Sequence, residues 1–112
     1  MGFKSVNINE AVIEIQKGAL IIDVREQNEY SEAHIKDSIL VPLSTVSAAR
    51  INEINIENKL IIIHCRSGKR SKVAANILLS QDYKGEILEI DKELLVGLKI
   101  INQSFQIYNC LY

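Results

Sequence analysis

A cysteine followed closely by three cations and a glycine is the part of this sequence best suited to chemistry. Cys65 opens the run Cys-Arg-Ser-Gly-Lys-Arg-Ser at residues 65–71. An apolar stretch precedes this run and a helical pattern follows it, so backbone N–H groups and a helix N-terminus should converge on the sulfur. Because such donors and neighbouring cations stabilise a thiolate, we expect Cys65 to be an activated nucleophile inside an anion-binding loop.

The residues after Cys65 each have a predicted task in that loop. Gly68 is free to adopt the positive φ that a loop needs in order to turn its N–H groups inward. Ser67 and Ser71 add hydroxyl donors, and Ser71 is also a candidate helix cap. The competing interpretation is that Cys65 is an ordinary buried cysteine at a strand end, as most free cysteines are. The predicted anion-binding residues are Arg66, Ser67, Gly68, Lys69, Arg70 and Ser71.

Length and composition limit the other possibilities. With 112 residues, 47% hydrophobic and 24% charged, the chain is expected to form one domain over residues 1–112, with a core at about 3–101 and a tail at 102–112. Its net charge of -1 provides no overall field for binding nucleic acid. The apolar runs are far shorter than the roughly 20 residues of a membrane span. No secretory signal is recognisable, so we expect a cytoplasmic location.

The cysteine count and the absence of metal-ligand patterns exclude several site types. Two cysteines, Cys65 and Cys110, make neither a disulfide framework nor a zinc cluster, and no residue pattern predicts a cofactor. Cys110 lacks cationic neighbours and is interpreted as a packing residue of the tail. The oligomeric state is left open by the sequence.

The elements that must position the loop are predicted from hydrophobic period. Short β-rich runs alternate with helical patterns, which is typical of an α/β fold around a mostly parallel sheet. Strands are predicted at residues 20–24, 39–41, 60–64 and 87–90, and the tail is predicted to be an extra strand or a docked arm. Helices are predicted from a cap at Asn7 or Asn9 to Gln16, over 28–34, from a cap at Ser44 to about Ile54, after the loop, and over 92–101.

Two details of the helices can be checked directly. Gly18 is expected to end the first helix in a left-handed conformation. The helix after the loop is expected to turn one apolar stripe towards the core. The residues assigned to that stripe are Val73, Ala74, Ile77 and Leu78.

Several linked motifs resemble the single-domain rhodanese, or sulfurtransferase, family. They are Leu-Ile-Ile-Asp-Val-Arg at 20–25, Glu-Tyr-x-x-Ala-His-Ile at 29–35, Val-Pro at 41–42, and the 65–71 loop followed by two alanines at 74–75. The resemblance covers nearly the whole chain. It implies an α/β fold with about five strands in a mostly parallel sheet flanked by helices. It also implies that Cys65 takes up a sulfane sulfur as a persulfide, cradled by the backbone of residues 66–71.

The resemblance assigns further roles by position. Arg66 and Lys69 stand where family members set the charge preference for substrate. Asp23 and Arg25 match an element that supports the loop from below, although a simple ion pair at the strand end explains them equally well.

Other motif residues are interpreted as structural. Glu29, Tyr30 and His34 match the family's helix and turn motif. His64 precedes the nucleophile on a strand, so its side chain should point away from the face of Cys65, and it is not assigned as a general base.

The sequence also departs from the family pattern. Ala33 and Asp37 stand where the family usually has glycine, and Lys92-Glu93 replaces a glycine pair that a tryptophan normally follows. The chain contains no tryptophan. These departures place the shape of the pocket and the nature of the acceptor in question.

Three functions remain for comparison. The first is a sulfurtransferase that passes sulfur from a small anionic donor such as thiosulfate to a thiol or protein acceptor. The second is a cysteine phosphatase or arsenate reductase, but these need Cys-x5-Arg to encircle a tetrahedral anion, and Cys65 to Arg70 is Cys-x4-Arg. The third is a non-catalytic binding or sulfur-carrier module with the same fold.

Overall fold

One five-stranded sheet forms the centre of the protein. The computed structural model describes residues 2–90 and 107–108. The strands of the sheet are β1 (Lys4–Val6), β2 (Leu20–Asp23), β4 (Ile39–Leu40), β5 (Ile61–His64) and β6 (Ile87–Ile90). In the sheet, every pair of neighbouring strands is parallel, and the strand order is β1-β6-β5-β2-β4. The α/β fold with about five mostly parallel strands is therefore confirmed.

Helices and one small antiparallel pair complete the described structure. The small pair joins β3 (His34–Ile35) to β7 (Ile107–Tyr108), so a strand is present within the tail. The helices are α1 (Ile8–Gln16), α2 (Gln27–Glu32), α3 (Ala48–Ile54) and α4 (Lys69–Ser80), with a 3-10 turn at Leu43–Thr45.

Isoleucines on the central strand fill both sides of the sheet. Because side chains alternate across a strand, Ile61 and Ile63 pack with α3 and α4, whereas Ile62 packs with α1 on the opposite face. All three are at most 1% exposed, and full burial of one such side chain stabilises the fold by about 1.5–3 kcal/mol. This two-sided burial explains why β5 has a continuous apolar sequence, and it fixes the position of the residues that follow His64.

Helix α1 begins and ends as its sequence indicates. The Asn7 side chain accepts the backbone N–H of Glu10 at 2.9 Å, and the Glu10 carboxylate accepts the N–H of Asn7 at 3.0 Å. This reciprocal capping box satisfies two donors that the helix itself leaves unpaired. Gly18 follows the helix with a φ of +103°. The caps predicted at both ends of α1 are confirmed.

Two boundary predictions are wrong, and one short strand was not predicted. Ser44 does not cap α3, because residues 43–45 form a separate 3-10 turn and Ser47 accepts the N–H of Arg50 instead. His34 lies in a strand and not in α2. Strand β1, only three residues long, is absent from the predicted elements because its sequence has no clear alternating pattern.

The buried stripe of α4 also differs from the prediction. Val73 is 48% exposed, whereas Ala75 is buried. The buried residues at positions 71, 74, 75 and 78 follow the i, i+3, i+4, i+7 spacing of one helical face, and Val73 falls outside it. Small alanines on this stripe let the helix approach the sheet beneath the loop.

Some predictions fall on parts of the chain that are not described. The helix predicted over 92–101, the Lys92-Glu93 departure, Cys110 and the tail apart from 107–108 lie outside the described residues. Among the helices of the described part, none has the length and hydropathy required to cross a bilayer.

Candidate active site

The Cys65 sulfur lies just beyond the carboxyl end of β5, where two backbone N–H groups are directed at it. Its Sγ accepts the N–H of Gly68 at 3.0 Å and the N–H of Ser71 at 3.3 Å, and the residue is fully buried. Gly68 has a φ of +91°, a conformation that costs other residues about 1–2 kcal/mol. The predicted positive φ at Gly68 is confirmed, and it is what turns the loop back over the sulfur.

The start of α4 leaves further donors beside the sulfur. The first N–H groups of a helix have no acceptor within the helix, and Lys69 and Arg70 occupy the first two positions of α4. The helix dipole adds partial positive charge at the same point. The loop can therefore stabilise negative charge on the sulfur and on an anion bound in front of it.

Arg70 is held in place by a carboxylate from α2. Its guanidinium donates to both oxygens of Glu29, at 2.7 and 3.0 Å. This pairing lowers the pKa of Glu29 from 4.5 to about 2. Glu29 also raises the pKa of Arg70, and the nearby Cys65 adds to that effect. The ion pair joins α2 to the loop, a connection that the structural interpretation of Glu29 did not include.

The remaining predicted loop residues separate into two groups. Arg66, Ser67 and Lys69 are exposed to solvent. Ser71 is buried, and only its backbone N–H reaches the sulfur. Its hydroxyl makes its shortest hydrogen bond, 2.6 Å, as donor to Glu89 Oε1. The prediction that Ser71 offers a hydroxyl to the anion site is therefore wrong, because the hydroxyl is turned to Glu89.

A buried polar cluster lies where β2 and β5 end side by side. The single Nε–H of Arg25 is shared between the two carboxylate oxygens of Asp23, at 2.9 and 3.1 Å, and Nη2 of Arg25 donates to Oδ2 at 2.8 Å. His64 Nε2 lies 3.2 Å from the same Oδ2. Burial by itself raises the pKa of Asp23, but His64 and Arg25 outweigh it and hold the pKa well below its usual range. Arg25 also donates to the Ala33 carbonyl at 2.8 Å.

This cluster connects strand ends and does not reach the anion loop directly. Among the described residues, the side-chain hydrogen bonds of Arg25 go to Asp23 and to the Ala33 carbonyl. His64 contacts Asp23 and is the residue immediately before Cys65 in the chain. The alternative interpretation of Asp23 and Arg25 as a strand-end ion pair is confirmed.

Tyr30 and His34 hold the turn after α2. Their rings stack with centroids 3.8 Å apart, and the Tyr30 hydroxyl donates to the Ser38 carbonyl at 2.8 Å. His34 Nδ1 lies 2.9 Å from the Tyr30 carbonyl.

In the described part of the chain, no group of three or more His, Cys, Asp or Glu side chains is arranged to hold a metal ion.

The fold and the loop agree with comparison to known proteins. The family model described as Rhodanese-like domain matches residues 8–94. The chain belongs to the rhodanese-like family. The family match includes every residue of the site described above and extends from α1 to just past β6.

Individual relatives of this rhodanese-like chain differ in how much of it they match. "Putative sulfur carrier protein YrkF" of Bacillus subtilis is 47% identical over 64 residues, which are 57% of this chain and 34% of that protein. Thiosulfate sulfurtransferase GlpE of Haemophilus influenzae is 29% identical over 84 residues, 75% of this chain and 78% of that protein. The crystal structure of reduced Bacillus anthracis CoADR-RHD matches with a TM-score of 0.68 at 31% identity, covering 85% of this chain and 16% of that one.

Several relatives are much longer than this rhodanese-like chain. It spans between 21% and 34% of the length of three of the relatives that it matches. This chain shares the family and the fold with these relatives. The activity of each whole relative is a property of that relative.

Proposed function

We propose that this protein is a sulfurtransferase in which Cys65 carries the transferred sulfur as a persulfide. The observation that carries the proposal is the buried Cys65 Sγ with two backbone N–H groups directed at it, at 3.0 and 3.3 Å. Donors fixed in this way stabilise charge that develops during a reaction without having to reorganise. Family membership supports sulfur transfer as the class of reaction.

The proposed first half-reaction loads Cys65. The Cys65 thiolate attacks the outer sulfur of an anionic donor such as thiosulfate, a new S–S bond forms, and the S–S bond of the donor breaks. Its electron pair leaves with sulfite. Exposed Arg66 and Lys69 offset the repulsion between a thiolate and a dianion, and the free N–H groups at the start of α4 bind the departing oxyanion.

The proposed second half-reaction transfers the outer sulfur from Cys65 to an acceptor. A thiolate of a small molecule or of a protein attacks the outer sulfur of the persulfide, and the electron pair of the breaking S–S bond returns to Cys65. The enzyme is then restored with no net redox change. Because donor and acceptor react in separate steps, the kinetics should be ping-pong.

The experiment is intact-mass analysis after brief incubation with thiosulfate. The chain has two cysteines, so Cys65→Ala and Cys110→Ala are matched variants. We expect wild type and Cys110→Ala to gain the mass of one sulfur atom and Cys65→Ala to gain none. A gain on Cys65→Ala, or none on wild type, contradicts the proposal.

A second candidate is a carrier that takes up sulfur without turning over. The relative named as a sulfur carrier, 47% identical over 64 residues, favours it. The two candidates differ in catalysis. Repeated sulfite release with excess thiosulfate and a small thiol acceptor supports the enzyme, whereas a single stoichiometric loading supports the carrier.

A further inference from the structure

The carboxylate of Glu89 is fully buried and contacts Ser71, the last residue of the 65–71 loop. Glu89 is the one charged residue in the otherwise apolar strand β6, with the sequence Ile-Leu-Glu-Ile, and it is 0% exposed. A buried carboxylate is costly unless hydrogen bonds and opposite charge compensate it. The family motifs quoted above assign it no role.

In the described part of the chain, three side chains contact this carboxylate. Oε1 accepts the Ser71 hydroxyl at 2.6 Å, and Oε2 accepts the Ser5 hydroxyl from β1. Lys72 Nζ lies 3.2 Å from Oε2. The carboxylate therefore binds two consecutive residues of α4, Ser71 and Lys72, to the edge of the sheet where β1 pairs with β6.

Only one of these partners continues to the sulfur. The backbone N–H of Ser71 donates to Cys65 Sγ at 3.3 Å while its hydroxyl is held by Glu89. The side chain thus fixes where that N–H points. Ser5, in contrast, contacts the same carboxylate from the other side and lies outside the loop.

We propose that Glu89 is a positioning residue for Cys65, acting through Ser71 to keep the third N–H of α4 directed at the sulfur. This inference rests on the proposed role of Cys65 as a nucleophile. It adds that the reactivity of the sulfur depends on a carboxylate on a neighbouring strand that never touches substrate.

The test uses the rate of alkylation of Cys65 by neutral iodoacetamide, measured as a function of pH in a Cys110→Ala background. Alkylation reports on the sulfur alone, so it can be read even if thiosulfate is not a donor. Ser71→Ala removes the link, and Glu89→Asp keeps the charge but shortens its reach. Ser5→Ala is the matched control, because it removes one hydrogen bond from the same carboxylate without touching the loop.

We expect Ser71→Ala and Glu89→Asp each to slow alkylation about three- to tenfold, the equivalent of one hydrogen bond, and to move the pH profile to higher pH. Among the described residues, Arg70 beside the sulfur and Lys72 beside Glu89 are the charged side chains that face this link, and they are unchanged in all variants. The double variant should be no slower than the slower single one. Ser5→Ala should react within twofold of the wild-type rate. Its melting temperature should fall, as should that of the other variants, because each loses a buried hydrogen bond.

Two results would overturn the inference. One is a Ser71→Ala protein that alkylates as fast as Ser5→Ala, since a purely structural role lowers stability in both without altering the sulfur. The other is additive losses in Glu89→Asp and Ser71→Ala. Should Glu89→Asp fail to fold, the comparison of Ser71→Ala with Ser5→Ala still decides whether the Ser71 hydroxyl, which Glu89 binds and which also lies 3.0 Å from the Gly68 carbonyl, controls Cys65.

Discussion

The ion pair between Glu29 and Arg70 should make stability depend on pH, and Glu29→Gln tests this. Glutamine still accepts the N–H of Glu26 that Glu29 accepts at 2.8 Å, so the first turn of α2 keeps its cap. The substitution removes the charge that faces the guanidinium. Any loss of stability therefore reports on the ion pair and not on the start of the helix.

The magnitude follows from the pKa of Glu29. A drop from 4.5 to about 2 corresponds to at most about 3.4 kcal/mol, at 1.36 kcal/mol per pKa unit. The two side chains are 19% and 29% exposed, so solvent screening reduces this to about 1–2 kcal/mol. Because the folded-state pKa is the lower one, the contribution is complete above pH 4.5 and disappears as the pH falls through 2. About 40% of it should remain at pH 3.

The assay is urea unfolding of both proteins at pH 7, 5 and 3. Wild type should exceed Glu29→Gln by about 1–2 kcal/mol at pH 7 and pH 5 and by less than half of that at pH 3. Glu32→Gln is the control, since Glu32 is an exposed carboxylate on the same helix, and we expect a change within about 0.5 kcal/mol. A difference between wild type and Glu29→Gln that stays constant from pH 7 to pH 3 would show that the charge of Glu29 does not produce the stabilisation.

Two further substitutions test the 65–71 loop and the buried polar cluster at the ends of β2 and β5. Gly68→Ala places a side chain at a φ of +91° and should cost about 1–2 kcal/mol while slowing Cys65 alkylation. Gly18→Ala, at +103° beyond α1, should cost as much without slowing it, and equal alkylation in both variants would contradict this role of Gly68. Asp23→Asn breaks a buried ion pair and should cost about 3–5 kcal/mol in urea unfolding at pH 7. That cost should shrink only in strong acid, because the pKa of Asp23 is held well below its usual range, and a loss below about 1 kcal/mol would show that the pair does not stabilise the fold.

One family departure has a physical explanation in the structure. Asp37 stands where the family usually has glycine, and its φ is +68°. Aspartate tolerates the left-handed region better than most residues, so the turn is retained without glycine. At Ala33, by contrast, φ is -165°, which is extended backbone open to any residue.

Features with short-range causes were accessible from the sequence. The capping box of α1, the apolar strand β5 and the glycine turn after Cys65 each depend on residues within a few positions of one another. Their periods and conformational preferences are local properties. The loop, its position after β5 and the α/β class followed from them.

The contacts behind and beside the sulfur depend on the tertiary structure. Glu29 and Arg70 are 41 positions apart, and Ser71 and Glu89 are 18 apart. These pairs depend on the order of parallel strands and on where α2 docks, which no local period encodes. A charged residue within the apolar strand β6 was a signal that Glu89 needed buried partners, but the strand order was required to identify them. Local sequence therefore predicts the loop and its position after β5, whereas the packing of distant elements determines which residues contact the loop.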